Sequence, residues 1–148
     1  MPTVSRRGTV PAERSRVWEV VSDPYHLPRW WPRVDRVEEA SPEAWTTVMH
    51  SSRGKAVRAD YTRIDAEPPR VLRWRHEVAE SPFEGVFAES TFELELEPDG
   101  EDATRVRLTA EQRLTGKSRF GTRMVRRATR RQLDGALEGL RRAFGGDS

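Results

Sequence analysis

Six β-strand-like segments follow one another between residues 34 and 114, and no helical pattern interrupts them. Turn-forming residues at 41–42, 52–54, 68–69 and 98–102 separate several of these segments. Short links between consecutive strands predict antiparallel pairing. One further strand is predicted near the N-terminus. The predicted strands are residues 4–10, 34–40, 45–51, 57–64, 71–78, 86–96 and 104–114.

Helices are predicted on both sides of this run of strands. Pro11 suits the first turn of a helix whose apolar side includes Val17 and Val21. Pro24, Pro28 and Pro32 predict one or two short helical turns over residues 24–31, capped by Ser22 or Asp23. After Gly116 the pattern predicts a long helix that lies across one face of the sheet. Its predicted apolar positions are Phe120, Met124, Ala128, Leu133, Leu137, Leu140 and Phe144.

Length and composition limit the class of protein. The 148 residues fit a single domain spanning 1–148, and 34% of them are charged. No apolar run reaches the roughly 18 residues that a membrane-spanning helix needs. The start of the chain lacks the apolar stretch of a signal peptide, so we expect a cytoplasmic location. The absence of cysteine excludes disulfides and thiolate chemistry.

Several short motifs together resemble a known superfamily. They are Val10-Pro-Ala12, Val17-Trp18, Asp23-Pro24, Trp30-Trp31-Pro32 and the stretch 65–70 before a strand, together with the terminal amphipathic helix. On these residues the chain resembles the START/Bet v 1-like (SRPBCC) helix-grip superfamily, in particular its polyketide cyclase/dehydrase-like branch. The resemblance covers nearly the whole chain.

The resemblance implies an α+β helix-grip fold. A curved antiparallel sheet of about six to seven strands would wrap around the long C-terminal helix, with two short helices after the first strand. It also implies a cavity between the sheet and that helix. Because the superfamily includes lipid carriers, hormone receptors, cyclases and co-chaperones, a shared fold does not select one function.

The adjacent tryptophans Trp30 and Trp31 cannot share one environment. Neighbours on a helical turn point about 100° apart. We therefore expect one ring to lie in the core and the other at the cavity wall. The sequence does not decide which of the two rings faces the cavity, and Trp31 is taken as the candidate.

Alternation in the strands predicts which side chains point inward. Phe92, Leu94 and Leu96 alternate with glutamates, and the same parity places Ser90 and Ala88 inside. The opposite parity of Ile64 indicates a bulge. Polar side chains on an inward face favour a ligand cavity over a solid core, because buried polar groups need partners. The candidate cavity residues are Trp31, Tyr61, Trp74, His76, Ser90, Phe92, Gln112 and Met124.

Familiar catalytic and metal-binding motifs are missing from the sequence. The three histidines, His26, His50 and His76, have no metal-ligand spacing, and neither a nucleophile elbow nor a phosphate-binding glycine loop is found. We therefore expect no metal and no cofactor. His76 is the one candidate for acid–base catalysis, because an unperturbed imidazole titrates near neutral pH.

The stretch 117–131 holds seven basic residues and no acidic one. Basic amphipathic helices can dock on anionic membranes, but here the apolar side is needed to close the sheet. We predict a solvated basic face with at most weak electrostatic membrane association. No specific nucleic-acid binding is expected, because the basic side lacks aromatic rings for base stacking.

Three functions from different classes remain open. The first is binding of an apolar or amphipathic small molecule in an internal cavity. The alternative is a polyketide aromatase/cyclase or dehydratase with His76 as its acid–base group. The third is a co-chaperone-like interaction module that uses the outer surface. Monomer and homodimer both remain open.

Overall fold

The structure is a computed structural model that describes residues 3–51, 53–79, 81, 83–116 and 121–145. Within these residues seven strands form one curved antiparallel sheet in the order β1-β7-β6-β5-β4-β3-β2. Every consecutive pair from β2 to β7 is adjacent, as the short predicted links require. The strands are β1 (Thr3–Val10), β2 (Val34–Glu38), β3 (Ala44–His50), β4 (Ala56–Glu67), β5 (Val71–His76), β6 (Phe87–Pro98) and β7 (Thr104–Leu114).

The helices lie where the sequence predicts them. Helix α1 (Arg14–Val21) is followed by a single 3-10 turn (Pro24–His26), the short helix α2 (Leu27–Trp30) and, after the strands, the long helix α3 (Thr122–Ala143). The carboxylate of Asp23 accepts a hydrogen bond from the Tyr25 backbone nitrogen at 3.0 Å, which confirms the predicted cap. The α+β helix-grip architecture is therefore confirmed.

The two faces of the sheet differ as strand alternation predicts. Leu94, Leu96 and Leu108 point into the hydrophobic core and have no solvent exposure. On the outer face the glutamates of β6 pair with arginines of the neighbouring strands. These ion pairs are Glu93 with Arg73, Glu95 with Arg107, and Glu97 with Arg105. Cross-strand pairs of opposite charge stabilise a sheet modestly, by about 0.2–1 kcal/mol each.

Bulges in β4 and β6 shift the strand alternation, and a further register shift lies between Val34 and Arg36 in β2. The register slips between Arg63 and Asp65, and Ile64 is 42% exposed, which confirms the predicted bulge in β4. A second slip, between Phe87 and Glu89, was not predicted. It makes Ala88 exposed, so the prediction that Ala88 points inward is wrong. A bulge places two residues opposite one, and the alternation before it is therefore shifted by one position.

The predicted apolar face of α3 is correct only in its second half. Leu133, Leu137 and Leu140 are buried as expected, but Met124 and Ala128 are exposed. A step of four residues rotates the side chain by about 40° around a helix, so a spacing of four drifts off one face. The structure buries Val125 and Thr129 in their place. Phe120, Arg119 and Lys117 lie outside the described residues.

Helix α2 packs directly against α3 at a glycine. Trp30 and Trp31 are both buried, at 3% and 6% exposure. A Cβ atom added to Gly139 would lie 2.3 Å from the carbonyl oxygen of Trp30, so only glycine permits this approach. The contact fixes the end of α2 and, with it, the segment Pro32–Arg33 that follows.

Candidate functional site

A cavity of about 660 Å³ lies between the inner face of the sheet and the N-terminal half of α3. This volume falls within the range of about 300–1,000 Å³ typical of small-molecule pockets. Its walls come from the segment after α2, from β3 to β7, and from α3. The lining residues are Pro32, Arg33, Met49, Tyr61, His76, Phe83, Val86, Phe87, Ser90, Phe92, Gln112, Met124, Val125, Ala128, Thr129, Arg131 and Gln132.

Six of the eight candidate residues lie in this lining. They are Tyr61, His76, Ser90, Phe92, Gln112 and Met124. The other two, Trp31 and Trp74, lie behind the wall in an aromatic cluster. The Trp31 ring contacts Trp74 at 5.9 Å and Phe92 at 5.4 Å between centroids, and Trp74 stacks on Phe92 at 5.7 Å. Through Phe92 these rings support the cavity wall without forming its surface.

His76 is held between two aromatic rings. It stacks on Tyr61 at 4.8 Å and meets the edge of Phe83 at 4.6 Å. Burial lowers the pKa of His76 to about 4, although the nearby carboxylates of Asp60 and Glu77 oppose the shift. The imidazole is therefore neutral at pH 7. Its Nε2 atom is enclosed and has no hydrogen-bond partner among the described residues.

Two other polar side chains of the cavity wall, Gln112 and Tyr61, have a defined hydrogen-bond partner or protonation state. The Thr129 hydroxyl donates a hydrogen bond of 3.0 Å to the side-chain oxygen of Gln112, which joins α3 to β7. Burial raises the pKa of Tyr61, opposed by a hydrogen bond with Thr47, so Tyr61 stays a neutral phenol. The inner wall can therefore offer hydrogen bonds but carries no charge.

Sequence reasoning missed the residues that close the outer part of the cavity. Phe83 comes from the β5–β6 connection, and Val86 and Phe87 lie at the start of the predicted strand 86–96, where the bulge shifts the alternation. Their apolar character within a turn-rich stretch was the available signal. Arg33 and Arg131 also line the cavity, and nothing in the sequence pattern distinguishes them from the other exposed arginines.

Metal chemistry finds no support in the described part of the chain. Within those residues no group of three or more histidine, aspartate or glutamate side chains is close enough together to hold a metal ion. The same residues include no helix with the length and apolar character needed to cross a membrane.

Solved structures with the same architecture cover nearly the whole chain. A START superfamily protein from Mycobacterium smegmatis superimposes with a TM-score of 0.80 at 14% identity, with 99% of each chain covered. The Zhui aromatase/cyclase from Streptomyces sp. R1128 gives a TM-score of 0.74 at 19% identity, covering 94% of this chain and 90% of its own. Similarity at these identities shows the fold alone.

A third structure, the di-domain ARO/CYC BexL from the BE-7585A biosynthetic pathway, has a TM-score of 0.80 at 21% identity. It matches 96% of this chain with 46% of its own length. A comparison with curated proteins gives no significant match. The profile of one family, described as polyketide cyclase / dehydrase and lipid transport, matches residues 1–145. The chain therefore belongs to the polyketide cyclase / dehydrase and lipid transport family.

Proposed function

We propose that this protein binds an apolar or amphipathic small molecule in the cavity between the sheet and α3. The observation that carries the proposal is the composition of the wall. Aromatic and aliphatic side chains surround a few uncharged polar groups, among them the buried His76 and Gln112. Such a wall binds the apolar part of a ligand by desolvation and orients it through a few hydrogen bonds.

Binding is preferred over cyclase chemistry because of the state of His76. An efficient acid–base group has a pKa near the working pH. With a pKa of about 4, His76 is almost never protonated at pH 7 and is a weak base. A neutral imidazole instead donates or accepts hydrogen bonds, which suits a ligand hydroxyl or keto group. The interaction-module hypothesis gives no role to an open, partly aromatic cavity.

Native mass spectrometry of freshly purified protein tests the proposal, with Nile red as a neutral apolar probe. We expect a co-purified small molecule, or saturable binding of Nile red to the emptied protein. The variant Ala128→Trp places a large ring at an exposed lining position and should abolish both. Arg127→Trp, one residue along the helix and outside the lining, is the matched control and should retain them. Equal binding by the two variants would contradict the proposed site.

A further inference from the structure

The mouth of the cavity can be located from the exposure of its lining residues. Tyr61, His76 and Gln112 are buried, whereas Arg33, Met124, Ala128 and Arg131 are exposed. The exposed residues come from two places, the segment after α2 and the N-terminal half of α3. The solvent-facing mouth therefore lies between these two segments, with one arginine on each.

Neither mouth arginine has an acidic partner in the part of the chain that the structure describes. No carboxylate there forms an ion pair with Arg33 or Arg131, and the described lining residues include no Asp or Glu. This differs from the outer face of the sheet, where Arg73, Arg105 and Arg107 each pair with a glutamate. The two positive charges at the mouth are left for solvent or for a ligand.

The charge around the mouth is positive over a wider area. Between residues 121 and 132, α3 and its N-cap carry five arginines and no acidic residue. The next acidic side chain along the helix is Asp134, and it already pairs with Arg6 at 2.7 Å. Like charges at helical spacing repel one another. A bound anion at this end of α3 would relieve that repulsion.

Arg33 is held at the mouth by an unusual backbone conformation. Its φ of 63° lies in the left-handed region, which costs about 1–2 kcal/mol for a residue with a side chain. The backbone carbonyl of Arg33 accepts a hydrogen bond of 3.2 Å from the His50 nitrogen, which fixes the segment against the end of β3. Strained residues that the surrounding structure holds in place are concentrated at functional sites.

The interior cannot hold a charge. Its polar groups are the neutral side chains described above, and a charged group without a partner is strongly disfavoured in an apolar site. A guanidinium group at the mouth, in contrast, matches the geometry of a carboxylate or phosphate and can bind it through two parallel hydrogen bonds. The cavity is thus apolar and neutral inside and cationic at its mouth.

We propose that the ligand is an amphipathic anion, with its carboxylate or phosphate bound between Arg33 and Arg131 and its apolar body inside the cavity. This inference rests on the proposed function, since it assigns the ligand class and its orientation at the same site. Met124, an exposed residue of the same lining, contacts the first part of the apolar body.

Displacement of Nile red from the protein at low ionic strength tests the inference. The competitors are decanoate, decyl phosphate and decanol, which share one apolar chain and differ in the head group. Both anions should displace the probe at concentrations about 10-fold lower than decanol, because a charge-assisted hydrogen bond contributes more than a neutral one. Comparison of the two anions shows which anionic group is preferred.

Single substitutions of arginine test whether the preference for anionic competitors arises at the mouth of the cavity. R33Q and R131Q should each weaken displacement by the anions about 3- to 10-fold relative to displacement by decanol, with the affinity of each variant for Nile red measured first and used to correct the comparison. R130Q removes the same charge from the neighbouring position, outside the lining, and should change none of the three.

Two failures are distinguishable. If Nile red binds but decanol competes as well as the anions, or if R33Q and R131Q behave like R130Q, the head-group assignment is wrong and the proposed function stands. If Nile red does not bind the emptied protein at all, the proposed function fails and the inference fails with it.

Discussion

His76 is an ionisable residue that the fold keeps uncharged. Its ring lies between Tyr61 and Phe83, and burial outweighs the attraction of Asp60 and Glu77 for the protonated form. The consequence is a dependence of stability on pH. The unfolded chain binds a proton near the ordinary pKa of 6.5, whereas the folded protein binds it only near 4. Lowering the pH through this interval therefore favours unfolding.

We predict that the contribution of His76 to stability is complete above pH 6.5 and is lost as the pH falls to about 4. Its upper limit is about 3 kcal/mol, since one pKa unit corresponds to about 1.4 kcal/mol. Urea unfolding at pH 7.5 and at pH 4.5 measures the effect. His76→Gln is the reference, because glutamine does not titrate and the contributions of the carboxylates cancel in the difference.

A direct measurement accompanies the unfolding experiment. The imidazole signal of His76, followed by NMR, should titrate with a midpoint near pH 4. A midpoint near 6.5, or an equal loss of stability in wild type and His76→Gln, would mean that the ring is solvated and does not belong to the cavity wall.

At the scale of elements, the sequence predicts regular segments well and their irregularities less well. Strand alternation correctly predicts that His76, Phe92 and Gln112 point to the inner face. Each of them lies in a stretch of strand that no bulge interrupts. The bulge at Ile64 was visible because an apolar residue broke the alternation. The bulge before Glu89 was not visible, since Phe87 and Ala88 are both apolar enough for either face.

The same limit of sequence-based prediction applies to the rotation of α3 about its axis, which decides the side chains that face the sheet. Several apolar patterns fit its first two turns, and only the packing against the sheet selects Val125 and Thr129 over Met124 and Ala128. The position of Trp31 and Trp74 behind the wall depends on the crossing of α2 and α3. That crossing depends in turn on Gly139, and a single glycine in a helical pattern carries no signal of a long-range contact.

The α2–α3 contact gives a prediction at the element scale. Gly139→Ala should lower the free energy of unfolding by about 1–3 kcal/mol or more, because its Cβ would lie 2.3 Å from a backbone oxygen that cannot rotate away. Chemical denaturation measures the loss.

Gly135→Ala on the same helix is the matched control for this prediction. The new Cβ would lie 3.4 Å from the Pro32 side chain, close to an ordinary contact. Alanine also favours a helix over glycine by about 1 kcal/mol. We expect this variant to be as stable as wild type or more stable. Equal destabilisation by the two variants would show that α2 does not pack closely on α3.

At the scale of the whole molecule, the near-neutral net charge of +2 conceals an uneven distribution. Acidic residues of the sheet are largely paired with arginines of neighbouring strands, so the outer face is close to electrically balanced. The first half of α3 has no such balance. Its exposed arginines lie beside the mouth of the cavity, and the positive field of the molecule is therefore concentrated at the opening.

This concentration predicts weak, salt-dependent association with anionic vesicles. At about 0.01 M ionic strength exposed charges act over about 30 Å, and at about 0.1 M over about 10 Å. Co-sedimentation with phosphatidylglycerol vesicles should thus be detectable at low salt and absent near physiological salt. Replacing Arg123, Arg127 and Arg130 by glutamine should remove it, while the same substitutions at the paired Arg73, Arg105 and Arg107 should not. Binding that persists at high salt would contradict a merely solvated basic face and would assign this end of the molecule a membrane role.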